Sequence, residues 1–426
     1  MLPPPLFHIR TLNDNLIIYR DELLGASETF ILKQGEALRD FRPVYVGLRL
    51  VEGLRVPDER RELLVAPGPL DRGRGLLCQL FGPSPRQAAR VRALCPALIH
   101  AHFGPDASHA LPLARALGVP LVLTHHGYDV TIEDQDLARS AWLRLYLKRR
   151  ERLYEAAALV LCVSQFVRDK ALRKGAPPDR TLVHYVGIDI PSFTPDPAVP
   201  RSNTVLFVGR LVESKGCEQL LHAMRAVQQT CRECRLVIIG DGPQRLRLEQ
   251  LARELGLRHV RFFSTQPCGL VRHWMNRARV FSVPSVTVDS GASEGFGMVF
   301  AEAQAMGLPV ASFATGGIPE AVAHGQTGLL ARERDTAGLA HNILSLLSNG
   351  STWERFSEAG QKRTRELFDI RRQTAALEDL YRAVLHQHKV SPELAARVFE
   401  GARLQGSPER PVLAFRGGAA PSVCIE

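Results

Sequence analysis

Aromatic residues are scarce in this chain of 426 residues: they make up 7% of it, and no basic stretch interleaves them. A single-stranded nucleic-acid surface needs stacking rings among its cations, so nucleic acid is not an expected partner. Long apolar runs are also missing, so no membrane-spanning helix is expected. The first ten residues lack the basic start and apolar stretch of a signal peptide, and a cytoplasmic location is expected. The 8 cysteines are scattered, and the lone Cys231-x-x-Cys234 has neither a second pair nor a suitably spaced histidine. That pattern argues against zinc and for reduced thiols. The Gly-x-x-x-x-Gly-Lys-Ser/Thr order of a P-loop is absent, and no strand-like run leads into Gly-x-Gly-x-x-Gly.

What is present points to two globular bodies. The length exceeds one ordinary domain, and 45% hydrophobic residues supply apolar material for two cores. A net charge of +10 implies anionic partners without naming one. Short β-like runs alternate with helical periodicity, as parallel α/β sheets require. Strands are expected at 16–19, 97–101, 120–124, 159–163 and 181–185, with helices at 107–117 and 137–156. Residues 50–85, rich in Arg, Gly and Pro, give no clear element. Prolines in a polar stretch then mark an interdomain linker at 191–203. A second series has strands at 204–208, 235–239, 260–263, 280–283 and 309–313. Its helices are expected at 216–228, 243–255, 270–278, 297–306, 336–347 and 371–386. The reading is two doubly wound α/β domains, 1–190 and 204–370. A helix over 371–389 is expected to pack back on the first domain, and 390–426 to form a flexible tail. Ligands of such sheets bind beyond the carboxyl ends of the strands, here in the cleft between the domains.

The most informative segment is Ser293-Glu294-Gly295-Phe296-Gly297-Met298-Val299-Phe300-Ala301-Glu302. One carboxylate sits in a glycine-rich turn, and a second lies eight positions later on the expected helix. Gly295 and Gly297 let backbone approach a ligand, and the helix start favours a phosphate. Glu302 can accept from two neighbouring hydroxyls, as a ribose presents them. The competing reading makes Glu294 a helix-start acid and Glu302 a solvated surface residue. A second segment, Phe207-Val208-Gly209-Arg210-Leu211-Val212-Glu213-Ser214-Lys215-Gly216, follows a strand. Arg210 can grip phosphate oxygens in a fork, and Lys215 adds a point charge. As exposed charges they would need no ligand.

In the first domain, Thr124-His125-His126-Gly127-Tyr128-Asp129 ends a strand. A histidine there could bond a sugar hydroxyl or polarise a reacting group. Adjacent rings diverge and no third ligand is evident, so a metal is not expected. His100 and His102 alternate on a strand, as cleft-lining or as packed core residues. In Leu24-Gly25-Ala26-Ser27-Glu28, Ser27 is the expected helix N-cap, and Gly25 could approach a phosphate. The basic segment 144–152 suggests peripheral contact with an anionic membrane, against the alternative of a solvated helix face.

Together these residues resemble the retaining glycosyltransferases of family 4, whose GT-B architecture sets two Rossmann-like domains across a cleft. The resemblance runs over most of the chain and is densest at 209–216, Gly240-Asp-Gly-Pro243 and 283–330. The last stretch holds Glu294-x7-Glu302, Gly307-Leu-Pro-Val310, Gly316-Gly-Ile-Pro-Glu320 and Gly325-Gln-Thr-Gly-Leu329. Ser27-Glu-Thr-Phe-Ile31, His100-Ala-His-Phe-Gly104 and 124–130 look like members that build bacterial exopolysaccharides of the colanic-acid type.

The resemblance implies transfer from a nucleotide sugar, UDP- or GDP-linked, to a glycan or lipid-linked acceptor, with retention and without metal or cofactor. It implies that Arg210 and Lys215 hold the diphosphate beside Gly209, and that Glu302 takes the ribose. Glu294 would contact the transferred sugar. The amides of Gly295, Phe296, Gly297, Met298 and Val299 would meet its hydroxyls and the distal phosphate. His126 would reach the sugar from the first domain, and Gly25 would approach the diphosphate. The first turn carries one glycine where many relatives have two, and the first strand follows an N-terminal extension. Retention is pictured either as front-face attack or with Glu294 as nucleophile. An epimerase, a phosphorylase and a non-catalytic nucleotide-sugar binder remain alternatives.

Overall fold

The computed structural model describes residues 15–386 apart from Ala26. The expectations for the first ten residues and for 390–426 concern residues outside these. In the first domain the strands are β1 (Asn15–Tyr19), β2 (Glu22–Leu23), β3 (Arg42–Gly47), β4 (Arg49–Leu50), β5 (Arg61–Leu63), β6 (Pro96–His102), β7 (Leu121–His125), β8 (Leu159–Cys162) and β9 (Thr181–Val183). Its helices are α1 (Thr29–Glu36), α2 (Asp71–Phe81), α3 (Pro85–Arg92), α4 (Gly104–Leu117), α5 (Tyr128–Thr131), α6 (Asp134–Leu137), α7 (Ala141–Ala156) and α8 (Gln165–Arg173). The second domain has β10 (Thr204–Val208), β11 (Arg235–Ile239), β12 (Val260–Phe263), β13 (Val280–Phe281), β14 (Val310–Phe313) and β15 (Gly328–Ala331). Around it lie α9 (Cys217–Thr230), α10 (Arg245–Glu254), α11 (Cys268–Arg277), α12 (Met298–Ala305), α13 (Ile318–Ala321), α14 (Thr336–Ser348), α15 (Gly350–Leu367) and α16 (Ile370–Leu385).

The first sheet has seven strands in the order β5-β3-β1-β6-β7-β8-β9, and the second has six in the order β12-β11-β10-β13-β14-β15. Every pairing within these two sheets is parallel. Such sheets are covered on both faces, which is why 16–19 of β1, 121–123 of β7 and all of β8 read as unbroken apolar runs rather than alternating ones. Strand order reverses between β1 and β6 and again between β10 and β13. A reversal opens a crevice, because helices leave the two neighbouring strands toward opposite faces. The loops that follow these four strands carry most of the expected site residues.

Several elements differ from expectation. The helix expected over 137–156 is broken at 138–140, between α6 and α7. Ser27 does not cap α1: the N-cap position is Glu28, with no side-chain cap bond, and its carboxylate instead accepts from Arg20 and the Gly25 N–H. β3, β15 and the 18-residue α15 were not expected, and 50–85 holds β5 and α2. The proline-rich stretch after Gly187 is docked rather than free. Phe193 is buried, Arg272 donates to the Ser192 carbonyl, and Arg201 reaches the carbonyls of Met275 and Ala278.

The chain crosses between the domains twice, and the two crossings touch. Ile188 N–H donates to Phe368 O at 2.7 Å, and Ile370 N–H donates to Ile188 O at 2.9 Å. Beyond this pairing α16 lies on the first sheet. Leu377, Leu380 and Tyr381 pack with Leu16, Ile18, Leu98 and Leu161 in one apolar cluster. The buried Glu378 carboxylate accepts from the N–H groups of Arg39 and Asp40 at 2.7 Å each.

Candidate active site

The second-domain half is built on the loops after β10 and β13. Gly209 extends the ladder by donating to Ile239 O, and Arg210 turns out into solvent. Among the described residues no carboxylate lies within ion-pair distance of Arg210. A short 3-10 turn, Glu213–Lys215, ends at Gly216 with φ +69°. A Cβ at Gly216 would stand 1.7 Å from the Pro284 carbonyl oxygen, so only glycine lets the two loops close together. Their closure brings Lys215 Nζ within 2.5 Å of Glu294 Oε2. Ser285 Oγ donates to the same oxygen at 3.3 Å.

After Glu294 the turn runs through Gly295, Phe296 and Gly297 into α12. Gly297 occupies the N-cap with no side-chain cap, so the N–H groups of the first turn are not paired by any capping side chain. The Phe296 ring is buried against Tyr185 and Phe368, which leaves its amide rather than its side chain for a ligand. Met298 and Val299 open α12 with partial exposure. Glu302 lies on its second turn. Burial pushes the Glu302 carboxyl up to about 7, against the opposing pull of Lys33 on α1.

In the first domain the two adjacent histidines separate. His125 is fully buried, with Nδ1 2.6 Å from Asp129 Oδ2 and Nε2 3.2 Å from the Tyr154 hydroxyl. Burial pushes the Asp129 carboxyl up, but His125 and the Gly104 N–H outweigh it and hold the group below the usual carboxylate range. His126 turns to the cleft side, with its ring 4.8 Å from Phe30 and 4.6 Å from Phe103. His126 Nε2 lies 2.9 Å from Nδ1 of His102. Burial drives His126 down to about 3, so it is a neutral ring that can donate or accept a hydrogen bond without carrying charge. His100 is a core residue bonded to Tyr381 and Thr124. His102 is buried and touches the candidate site through its contact with His126. The Gly25 N–H is taken by Glu28 at 3.2 Å, while a Cβ on Gly25 would meet nothing within 4 Å.

The two halves meet at Gly295. A Cβ there would sit 2.3 Å from the His126 carbonyl oxygen and 3.3 Å from Gly127 Cα, so the two backbones touch. Ser164 Oγ, at the start of α8, donates to Gly295 O at 2.6 Å. Glu320 on α13 spans the same junction. Its carboxylate accepts from the N–H groups of Gln165 and Phe166 at 2.7 and 3.0 Å, and from the Tyr185 hydroxyl at 3.1 Å. A carboxylate from one domain thus caps a helix of the other.

The structure gathers Lys215, Glu294, Gly295 and His126 at one junction, with Gly209 and Arg210 on the adjoining loop. Sequence reasoning missed the roles of Ser164 and Glu320. Glu320 belongs to the Gly316-Gly-Ile-Pro-Glu320 run, but its partners come from α8, far away in sequence. The basic segment 144–152 lies on α7, where Tyr146, Leu153 and Tyr154 are buried and Arg144, Lys148 and Arg152 face solvent. No helix of the described residues is long and apolar enough to cross a membrane.

Comparison with known proteins gives a consistent picture. Residues 193–363 match the family described as "Glycosyl transferases group 1", and 28–191 match "Glycosyltransferase Family 4". The putative colanic acid biosynthesis glycosyltransferase WcaL of Escherichia coli is 30% identical over 249 residues, covering 57% of this chain and 59% of that one. The chain thus spans about three fifths of that relative's length. A GDP-mannose-dependent alpha-(1-6)-phosphatidylinositol monomannoside mannosyltransferase of Mycolicibacterium smegmatis is 30% identical over 323 residues, 71% of this chain and 81% of that one. Among solved structures, Anabaena HepE in complex with UDP-glucose superposes with a TM-score of 0.70 at 21% identity, over 87% of this chain and 99% of that one. The lipopolysaccharide glycosyltransferase WaaG gives 0.62 at 15% identity, over 85% of this chain and 99% of that one. These structures share the GT-B fold.

Proposed function

This chain belongs to the glycosyltransferases of group 1 and family 4, and on that premise we propose that it moves a sugar from a nucleotide sugar to a glycan or lipid-linked acceptor in polysaccharide or glycolipid synthesis. The observation that carries the proposal is the Lys215–Glu294 pair beside the uncapped start of α12, with His126 facing it across the Gly295 contact. Breaking a glycosyl–phosphate bond leaves negative charge on the nucleoside diphosphate and positive character on the sugar. Arg210, Lys215 and the N–H groups of Gly297, Met298 and Val299 stabilise the first of these without a metal. Glu302 takes the ribose hydroxyls, and Gly209 lets the diphosphate come close to the loop after β10. Glu294 and the neutral His126 hold the sugar from opposite domains.

In this reading the anomeric configuration is retained by front-face attack. The acceptor oxygen bonds to the anomeric carbon as the bond to phosphate breaks, and the departing phosphate takes the acceptor proton. In this reading Glu294 positions the sugar: contacts of Lys215 and Ser285 with its Oε2 support a fixed carboxylate orientation. The experiment is calorimetric titration with UDP and GDP, followed by product analysis with the sugar nucleotides of whichever binds. Submicromolar to micromolar binding, a retained anomer and unchanged turnover in chelator support the proposal. Failure to bind either diphosphate would sink it.

A further inference from the structure

His126 bonds to its neighbours through one ring nitrogen. Nε2, the far end of the ring, is turned toward β6 and lies 2.9 Å from Nδ1 of His102. Nδ1 makes no hydrogen bond with any described residue, so it is the nitrogen left for a ligand. The ring is fixed in this pose. Phe30 stands 4.8 Å from it and Phe103 4.6 Å, and His102 stacks on it at 5.2 Å with 27° between the planes. Backbone strain accompanies the clamp: Phe103, directly after His102, has φ +70°, which a bulky side chain rarely adopts.

Burial holds both rings neutral. Arg20, which donates to the His102 carbonyl at 3.3 Å, adds to the cost of a positive charge on either. Two neutral imidazoles joined by one hydrogen bond supply one N–H and one lone pair, so a single proton position settles both tautomers. The other nitrogen of His102 decides which. Its Nε2 is buried and meets no hydrogen-bonding group among the described residues. His100, stacked 4.3 Å away, already has the Tyr381 and Thr124 hydroxyls on its two nitrogens. A proton on His102 Nε2 would be a buried donor with nothing to accept it, and native interiors leave N–H groups unpaired more rarely than acceptors. The proton of His102 therefore sits on Nδ1, pointing at His126 Nε2, and His126 carries its own proton on Nδ1.

We infer that His102 is a positioning residue for sugar recognition: by donating from Nδ1 to His126 Nε2, it makes His126 a hydrogen-bond donor, through its own Nδ1, to an oxygen of the transferred sugar. The inference rests on the glycosyltransferase reading and adds the chemistry of the sugar face that His126 meets. A hydroxyl or a carboxylate accepts from that N–H. A deoxy carbon leaves it unpaired, and an ammonium group opposes it with hydrogens of its own. His102 itself touches no sugar and acts only through His126.

The first measurement needs no substrate. Nitrogen NMR on protein with isotopically labelled histidine reads the tautomer, and His126 is picked out of the 14 histidines by the signals lost in His126→Gln. Its Nδ1 is expected in the protonated range and its Nε2 in the unprotonated range. His102→Leu keeps bulk and removes the donor, and is expected to move His126 toward a proton on Nε2. His102→Asn, whose amide can donate from near the Nδ1 position, is expected to restore the wild-type pattern. A wild-type His126 protonated on Nε2, or a pattern that His102→Leu leaves unchanged, overturns the inference. The second measurement is calorimetry with UDP- or GDP-sugars and their deoxy and deoxyfluoro analogues, without acceptor, beside UDP and GDP alone. Fluorine accepts weakly and cannot donate. At one sugar position the deoxy analogue is expected to bind about tenfold more weakly than the parent, with the fluoro analogue recovering most of that loss. His126→Ala is expected to abolish the difference, and His102→Leu to shrink it while UDP and GDP bind as before. Equal losses for deoxy and fluoro analogues wherever His126→Ala has an effect would show that His126 accepts, which also overturns the inference. If His102→Leu does not fold, the wild-type tautomer and the analogue series still decide. Absence of UDP and GDP binding in the wild type counts instead against the donor reading, and the tautomer is read independently of it.

Discussion

Lys215 and Glu294, far apart in sequence and on different loops, form an ion pair at 2.5 Å beside the crevice between β10 and β13. Each is the other's charge partner, so the two substitutions have opposite effects on an anion. Lys215→Ala removes a cation from the diphosphate position. It is expected to weaken nucleoside diphosphate binding by about 1.5–3 kcal/mol, roughly tenfold to a hundredfold. Glu294→Gln frees the ammonium and is expected to preserve or tighten that binding while transfer falls. Calorimetry paired with turnover separates the cases. Equal weakening by both variants would contradict the assignment.

Glu302 is expected to make donor binding pH-dependent. Burial places its folded-state pKa near 7, above the ordinary carboxyl value of 4.5. Between those values the folded chain holds a proton that the unfolded chain has lost, so stability falls as pH rises from 4.5 toward 7 and then levels off. Glu302→Gln is expected to abolish that slope and to be relatively more stable above pH 7, by on the order of 1–3 kcal/mol. Nucleotide affinity should move the other way, rising through pH 7 as the carboxylate becomes a full acceptor for the ribose. The check is urea unfolding and UDP or GDP titration from pH 5 to 8.5 on both proteins. Parallel pH curves for wild type and variant would exclude this role.

Gly295 is one of the points where the domains touch. Gly295→Ala places a methyl group 2.3 Å from the His126 carbonyl, where backbone rather than a flexible side chain must yield. The expected outcome is a protein that still binds nucleoside diphosphate through its second domain but transfers at least ~100-fold more slowly, because the two halves are held apart. Small-angle scattering should show a larger radius of gyration. A variant with wild-type turnover would mean that the contact is dispensable.

The adjacent histidines should separate stability from activity. His125→Ala leaves the buried Asp129 with only the Gly104 and Gly127 N–H donors and is expected to cost about 3–5 kcal/mol of stability. His126→Ala removes a partly exposed, neutral ring and is expected to change stability little, while transfer drops on the order of a hundredfold. Thermal unfolding and initial rates on the two variants decide; a reversed pattern assigns the cleft-facing role to His125.

Most strands of both sheets were legible because each is a short apolar run bounded by turn residues, and the parallel arrangement followed from their alternation with helices. The residues proposed for the donor stood out as candidates because glycines and charges sit together at strand ends. α15 was not, since the residues it turns inward include Ser357, Gly360 and Thr364, which carry no apolar period. Gly360 is there because the helix runs against Gln304, a fact visible only once α12 and α15 are packed. β3 opens with Arg-Pro, which masks the apolar Val44-Tyr45-Val46 run behind it, and no strand was expected there. Ser164 and Glu320 were silent for another reason. Each acts on the other domain, and no local pattern records a partner that arrives from elsewhere in the chain.

The position of α16 bears on how the protein is made. One face of the first sheet is covered by Leu377, Leu380 and Tyr381, which leave the ribosome last among the described core residues. A nascent chain that has released the first 190 residues therefore has a sheet with an uncovered apolar side. The interval before α16 emerges is about 10–40 s at ordinary synthesis rates, long enough for exposed surface to recruit chaperones or to aggregate. The second domain, by contrast, finishes its own sheet before that helix exists. Birth order and folding order are thus reversed in this chain: the half that is synthesised first is the half completed last.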